Sequence, residues 1–375
     1  MSAPKVKYNN QDQKEFVQVL RKNVSNYFSE NNISKYANLN MKLKTAFMIS
    51  LYFVPFILML TGVVTTFWPV MLMWVLMSFG MSGIGLSIMH DANHRSYSEN
   101  KYVNNVLGFL VNFLGASHIN WQIQHNTLHH GFTNVEGFDE DIKTPLMRFS
   151  PTQKPSKRYR FQAYYATFIY GLMTIYWVIS KDFEGLVRYK KKDLLAKKGL
   201  SLKKAMINLS INKLWYFGLT LALPLILVDL PWWQTLAGFL IMHYICGLIL
   251  TFIFQPAHVI TETDFYTVDE NGSIDNNWAI HQMKTTSNFA NGSRLFSWFI
   301  GGLNYQIEHH LFPNICHVHY SKISSIVKET AAQYNIPYHH HKTFFGALRS
   351  HFIMIDQLGT GKYDRKLSMV QPIRT

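Results

Sequence analysis

Histidine is the side chain whose number and placement in this sequence call for chemistry. Seventeen occur among 375 residues, most of them in short groups. His90-Asp91-Ala92-Asn93-His94 sets two at spacing i, i+4, which on a helix puts both on one face, one turn apart. Trp121-Gln122-Ile123-Gln124-His125-Asn126-Thr127-Leu128-His129-His130 repeats the spacing: His125 and His129 share a face, with His130 offset by one position. Gln306-Ile307-Glu308-His309-His310 keeps Gln306, His309 and His310 within one turn, and Gln255-Pro256-Ala257-His258 adds a further ring. Imidazole moves protons and binds metals. Rings that only pack or face water have no need of repeated helical spacing, whereas ligands of a common centre do. His90, His94, His125, His129, His130, His258, His309 and His310 are too many for one ion, since a catalytic zinc takes three protein ligands and keeps a position open. The set implies two ions, and imidazole suits iron, copper, zinc and nickel without choosing among them. There is no His-Glu-x-x-His, which excludes a zincin protease. There is no Glu-x-x-His either, which excludes the carboxylate di-iron bundle.

Charge distribution indicates what must hold these groups. The chain is 48% hydrophobic and only 15% charged, with net charge +14 and mean hydropathy near zero. No Lys or Arg occurs from Thr45 to His90 or from Leu214 to His258, and Asp229 is the only charge in either window. A soluble helix needs a polar outer face, so these windows belong in lipid. Each is long enough for two crossings of about 20 residues. The expected spans are about 45–67, 69–89, 214–228 and 232–254, with turns at Trp68-Pro69 and at Asp229-Leu230-Pro231. Trp68, Trp232 and Trp233 then lie at those turns, where interfacial aromatics belong. All basic residues fall on the other side, so the positive-inside rule puts both termini and every histidine group in the cytosol. The fold expected is an all-α integral membrane protein of two hairpins under a cytosolic helical cap, with spans free of charge. Two cysteines exclude a disulfide framework, and the 44 polar residues before the first apolar run are not a secretory signal.

The remaining segments divide around this frame. Residues 1–44 form a cytosolic amphipathic segment, with Phe16, Val17, Leu20, Val24 and Phe28 along one helical face. Residues 45–345 form the membrane domain and 346–375 a cytosolic tail, disordered from about Gly359. Tyr102–Ser117 and Phe161–Ile179 read as interfacial or re-entrant helices. Lys181 to Lys213 carries ten basic residues against three acidic, which suits anionic lipid headgroups or an acidic partner.

At the three histidine groups the sequence resembles the membrane fatty-acid desaturase family. HDANH, HNTLHH and QIEHH match its histidine boxes in order, type and approximate spacing, and the resemblance runs from about residue 40 to 345. The third box opens with Gln306 where many members have histidine, which resembles the front-end and linoleoyl-CoA desaturase-like branch. The resemblance implies a membrane enzyme that introduces a cis double bond into a fatty acyl chain, on acyl-CoA or acyl-lipid, with O2 as co-substrate. It implies two iron ions held by the eight histidines, with Gln306 as a weak or water-mediated contact. No fused haem domain is recognisable, so the chain is similar to the stand-alone bacterial type in an inner membrane. Its electrons then come from a separate ferredoxin, rubredoxin or b-type cytochrome with its reductase, and no nucleic acid is involved. An extra histidine after the fourth span resembles a metal ligand of this family, and His258 occupies that place.

Removing hydrogens from unactivated methylenes is beyond any side-chain acid or base, so the metals carry the chemistry and the protein supplies position and exclusion. Asp91, Asn93, Asn126, Asp139, Glu140, Asp141 and Glu308 are near enough in sequence to orient the imidazoles. Met89, Trp121, Phe252, Phe254, Tyr305 and Leu311 are candidate walls for an acyl tunnel. His317 and His319 suit contacts around the site or with a headgroup, and His339-His340-His341 reads as a solvated cluster. His118, His243, His281 and His351 receive no role. A related membrane hydroxylase would keep an oxygen atom in its product. A metal transporter or receptor would carry charges within its spans.

Overall fold

Four helices of this computed structural model, which describes residues 6–365, are long and apolar enough to cross a bilayer: Leu39–Leu60, Phe67–Asn93, Leu202–Leu227 and Trp232–His258. They form the two expected hairpins, and the second and fourth end at the same side, carrying His90 and His258. The helices start and stop differently from the charge windows. The first begins at Leu39, where the Asn38 side chain accepts a hydrogen bond from the Met41 N–H at 3.1 Å, a strong start signal. It stops at Leu60, and the connection to Phe67 precedes Trp68 and Pro69, which lie in the first turn of the second helix. Proline is harmless there because the first N–H groups of a helix have no internal partner. The third span starts at Leu202, capped by Ser201, not at Leu214. The fourth continues through Pro256 to His258, past the expected end at Phe254.

The spans are therefore not free of charge, contrary to expectation. Lys44 is buried in the first and Lys213 in the third. Burying an ammonium is costly without partners, and both have them. Lys44 Nζ lies 2.7 Å from His317 Nε2. Lys213 pairs with Asp182 at 2.7 Å and donates to the carbonyls of Gly115 and Trp177.

Residues 162–191 form a broken helical arm that packs on the fourth span. Its pieces are Gln162–Gly171, Met173–Tyr176, a π-helical turn Trp177–Lys181, and Asp182–Lys191. Close approach needs the absence of side chains: a Cβ on Gly247 would run into the Gly171 carbonyl. The amphipathic helix Lys14–Glu30 buries Phe16, Leu20 and Val24 against Tyr320–Gln333. Two short parallel ladders tie the cap together, Lys7–Tyr8 with Ser273–Ile274 and Ser287–Phe289 with His339–His341. The three consecutive histidines are thus a strand and not a free solvated cluster. Residues 346–365 are not a tail either. Helix Phe344–Thr360 buries Ala347, His351, Met354, Ile355 and Leu358, and Asp364 takes both terminal nitrogens of the buried Arg148 at 2.7 and 2.8 Å. The rest of the expected tail, 366–375, lies outside the described residues.

Candidate metal centre

The second span delivers the first histidine pair through an irregular turn. Ile84–Ile88 is π-helical and leads into Met89–Asn93, so the spacing of His90 and His94 is read on an ordinary helix just beyond a bulge. The second box departs from the expected geometry. Gln122–His129 is a π-helix, in which the His130 N–H bonds to the His125 carbonyl, five residues back, at 3.0 Å. The wider turn brings His125 and His130 together, with Nε2 atoms 3.3 Å apart. His129 still shares a face with His125 as expected, their rings stacked with centroids 5.3 Å apart and both near Asp141. π-Turns of this kind concentrate at functional sites. The third box is the short helix Gln306–Leu311.

All eight predicted imidazoles come together, seven of them in two groups and His130 between. Nitrogens of His90, His94, His125 and His309 lie within 4.8 Å of one another, as do those of His129, His258 and His310. His130 stands between the groups, its Nε2 atom 2.9 Å from that of His309, and it clusters with His309 and His310. His90 and His125 approach Nε2 to Nε2 at 3.2 Å. The Nε2 atoms of His94, His129, His258 and His310 are buried without any hydrogen-bond partner, a costly arrangement unless something else binds them. Converging lone pairs with no donor to receive them suit two cations. Gln306 is buried beside His309, and its Oε1 also lacks a partner.

The far nitrogens show how the rings are aimed. His129 Nδ1 contacts both oxygens of Asp139 at 3.1 Å, and His125 Nδ1 lies 3.2 Å from Asp141 Oδ2. His310 Nδ1 meets Gln282 Oε1 at 2.7 Å, His258 Nδ1 meets the Thr285 carbonyl at 3.2 Å, and His309 Nδ1 meets the Tyr320 hydroxyl at 3.3 Å. A proton held at Nδ1 leaves the Nε2 lone pair for a metal. Burial, reinforced by neighbouring imidazoles, holds His94, His130, His309 and His310 well below the ordinary histidine pKa. Burial also takes His125 down to about 3 against the pull of Asp141. These rings are neutral, as ligands must be. Burial lowers His129 too, but Asp139 and Asp141 more than reverse it and its pKa is raised.

Of the orienting residues expected from sequence, Asp139 and Asp141 contact ligands directly. Asp91 reaches His317 Nδ1 at 2.7 Å and lies 3.9 Å from His90 Nδ1. Asn93 and Asn126 brace the first two boxes against each other, Asn126 Nδ2 donating to the Asn93 carbonyl at 2.9 Å. Glu140 turns instead to Arg188 and Lys192, and Glu308 to Asn288 and Tyr338. His319 bonds to the Tyr36 carbonyl. Sequence reading missed the helix Trp278–Thr285, which supplies Gln282, the Thr285 carbonyl, a Trp278 N–H to the His130 carbonyl at 3.0 Å, and His281 on Thr133. Its only visible signal was polar residues on a face that the structure buries completely.

A cavity of about 460 Å³ opens beside the first group. Met81, Gly85, Leu114, Cys246 and Leu250 line it between the second and fourth spans, while Lys143, Lys181 and Glu184 also border it. Met89, Trp121 and Phe254 are walls as expected. Phe252, Tyr305 and Leu311 belong to packed clusters elsewhere.

Comparison with known proteins agrees with this geometry. The fatty acid desaturase family model matches residues 66–342. The sn-1 linoleoyl-lipid 6-desaturase of Synechocystis is 34% identical over 96% of this chain and 99% of its own length. That of Arthrospira platensis is 33% identical over 92% of each chain. The acyl-lipid (8-3)-desaturase of Physcomitrium patens is 33% identical over 96% of this chain and 74% of its own. With paired histidine groups beside an apolar cavity and this similarity along nearly its whole length, the chain belongs to the fatty acid desaturase family and is a fatty acyl desaturase.

Proposed function

We propose that this enzyme desaturates acyl chains of membrane glycerolipids close to their carboxyl end, using two irons held by the eight histidines. The observation that carries this reading is the pair of converging imidazole groups beside a long apolar cavity. The relatives named linoleoyl-lipid 6-desaturases support the lipid carrier and a position near the sixth carbon. Bound iron supplies the oxidant that takes hydrogen from an unactivated methylene, and the chain does everything else. Asp139, Asp141, Gln282 and the Thr285 carbonyl fix the ring orientations. The apolar walls align the substrate and keep water out. Met81 lies nine residues before His90, about 13 Å along a helix, which leaves a deep slot for the methyl side. Lys143 and Lys181 suit the ester and headgroup side. Gln306 is a weak or water-mediated contact in this scheme. Electrons come from a separate redox protein, and the histidine side of the bilayer is cytosolic.

The test is expression in a bacterial host lacking such an enzyme, followed by mass spectrometry that locates double bonds in intact lipids. A new cis double bond near the carboxyl end of glycerolipid chains is the expected product, with about two irons per purified chain. A hydroxylated product, or activity in protein holding zinc and no iron, would overturn the proposal.

A further inference from the structure

We propose that a groove beside the first histidine group is a binding site for an anionic phospholipid, separate from the acyl cavity. The groove measures about 620 Å³ and runs between helix Lys101–Phe113 and the start of the second box. Its floor is apolar, formed by Val106, Phe109, Leu110 and Phe113, and its upper edge is polar, formed by Asn93, Arg95 and Gln122. Tyr102 and Val106 are 68% exposed on the same helix, and a helix with such an outer face belongs in the interfacial layer of a bilayer.

The cations at the edge carry the argument. Arg95 sits at φ 60°, a left-handed conformation that side chains other than glycine adopt at a cost. Lys198 extends from the following basic segment and donates to Gln122 Oε1 at 3.1 Å. Gln122 Nε2 in turn donates to Asn93 Oδ1 at 2.9 Å. The two cations are close enough that burial, and then Arg95, lower the Lys198 pKa. Among the described residues, neither forms an ion pair with a carboxylate, whereas Arg148, Arg188, Lys192 and Lys213 all do. His118 lines the groove as well, with its Nδ1 pinned to Asn112 Oδ1 at 3.0 Å. Arg95 on the groove wall and Lys198 bonded to its Gln122 edge, beside an apolar floor, call for an anion that brings its own hydrocarbon. A phospholipid headgroup with net negative charge answers both needs, and a zwitterionic one answers only the second. The site makes no use of the metals and stands whether or not the proposed double-bond position is right.

Native mass spectrometry of the full-length, iron-loaded protein in detergent tests the proposal by titrating phosphatidylglycerol and phosphatidylcholine separately. Preferential retention of phosphatidylglycerol is expected. Each basic residue near a charged headgroup is worth about fivefold in affinity, so Arg95→Gln with Lys198→Gln should reduce that preference about 30-fold. Val106→Gln should weaken both lipids alike. If the double variant fails to hold iron, Lys198→Gln alone carries the test at about fivefold, because Lys198 lies on the surface. Equal affinity for the two lipids in the unaltered protein would overturn the proposal. So would an unchanged preference in the folded double variant, or displacement of the lipid by millimolar inorganic phosphate.

Discussion

Gln282 is the orienting residue whose removal has the most calculable effect. Its Oε1 faces His310 Nδ1 at 2.7 Å and receives the Thr133 hydroxyl at 2.9 Å, while its Nε2 donates to the His130 carbonyl at 3.2 Å. The single Thr133 hydroxyl proton is shared with the His129 carbonyl at 2.8 Å, so one buried amide is linked to three proposed ligands. Gln282→Leu keeps the volume and removes all three contacts. The His310 Nδ1 proton then has only the Thr133 hydroxyl at 3.3 Å as an acceptor, a loss toward the lower end of about 1–3 kcal/mol. Loss of an orienting partner of a metal ligand costs about 10–100-fold in metal affinity, which is about 1.4–2.7 kcal/mol, so the two routes agree. Gln282→Glu keeps an acceptor for His310 and is expected to hold iron better than the leucine variant. The assay is iron per chain after dialysis against graded chelator, on protein with an unchanged helical circular dichroism spectrum. The leucine variant should lose iron at about 10–100-fold lower chelator. An unshifted midpoint for Gln282→Leu, or equal shifts for both variants, would refute the reasoning.

Three further outcomes follow from the geometry. His258→Ala removes a ring whose Nε2 faces the second group, so iron content and lipid product should fall together in membranes with matched protein levels. Normal iron in that variant removes His258 from the ligand set. A Cβ at Gly85 would sit 3.6 Å from Leu250 and 3.9 Å from Leu114, ordinary contact, so Gly85→Leu should fold, fill the cavity and shift products toward shorter chains; an unchanged chain-length profile would exclude this part of the cavity from the acyl path. Lys213→Met leaves the buried Asp182 carboxylate with neutral donors only, the Ser117 N–H, Asn120 Nδ2 and Trp177 Nε1, and should cost about 3–5 kcal/mol, read as a lowered unfolding midpoint, with Asp182→Asn restoring more of it than Asp182→Leu because it keeps an acceptor for those donors.

The hairpins and the convergence of the eight histidines were legible in the sequence because charge exclusion from lipid and repeated helical spacing of histidines are strong signals, with His258 marked by the end of the fourth span. The span ends were less legible, because a lysine usually marks water. Lys44 and Lys213 are exceptions whose partners, His317 and Asp182, are far away in sequence and invisible without the fold. Helical spacing places His125 and His129 on one face, as they are, but the π-turn that also brings His130 to His125 leaves no mark in the pattern of residue types. The orienting groups were legible only where they sit beside a box, as Asp139 and Asp141 do. Gln282 and the Thr285 carbonyl come from a segment with no motif, and a backbone carbonyl has no sequence signature at all. Glu140 and Glu308 were close in sequence and still turned elsewhere, Glu140 to two cations and Glu308 to a buried amide and a phenol.

The π-turn at Gln122–His129 has a mechanical consequence. His129 belongs to the second group while the adjacent His130 stands between the two, and His125 joins His130 across the widened turn. One short, rigid piece of backbone therefore clasps both halves of the centre and sets the spacing between them. The second span, the fourth span and the third box each add rings from outside this clasp. Small tilts of the spans around acyl chains of different girth then move the outer rings while the internal gauge of the centre stays constant. By the same logic, deleting a single residue between His125 and His129 would collapse the clasp to an ordinary turn and merge two positions that the chemistry needs apart.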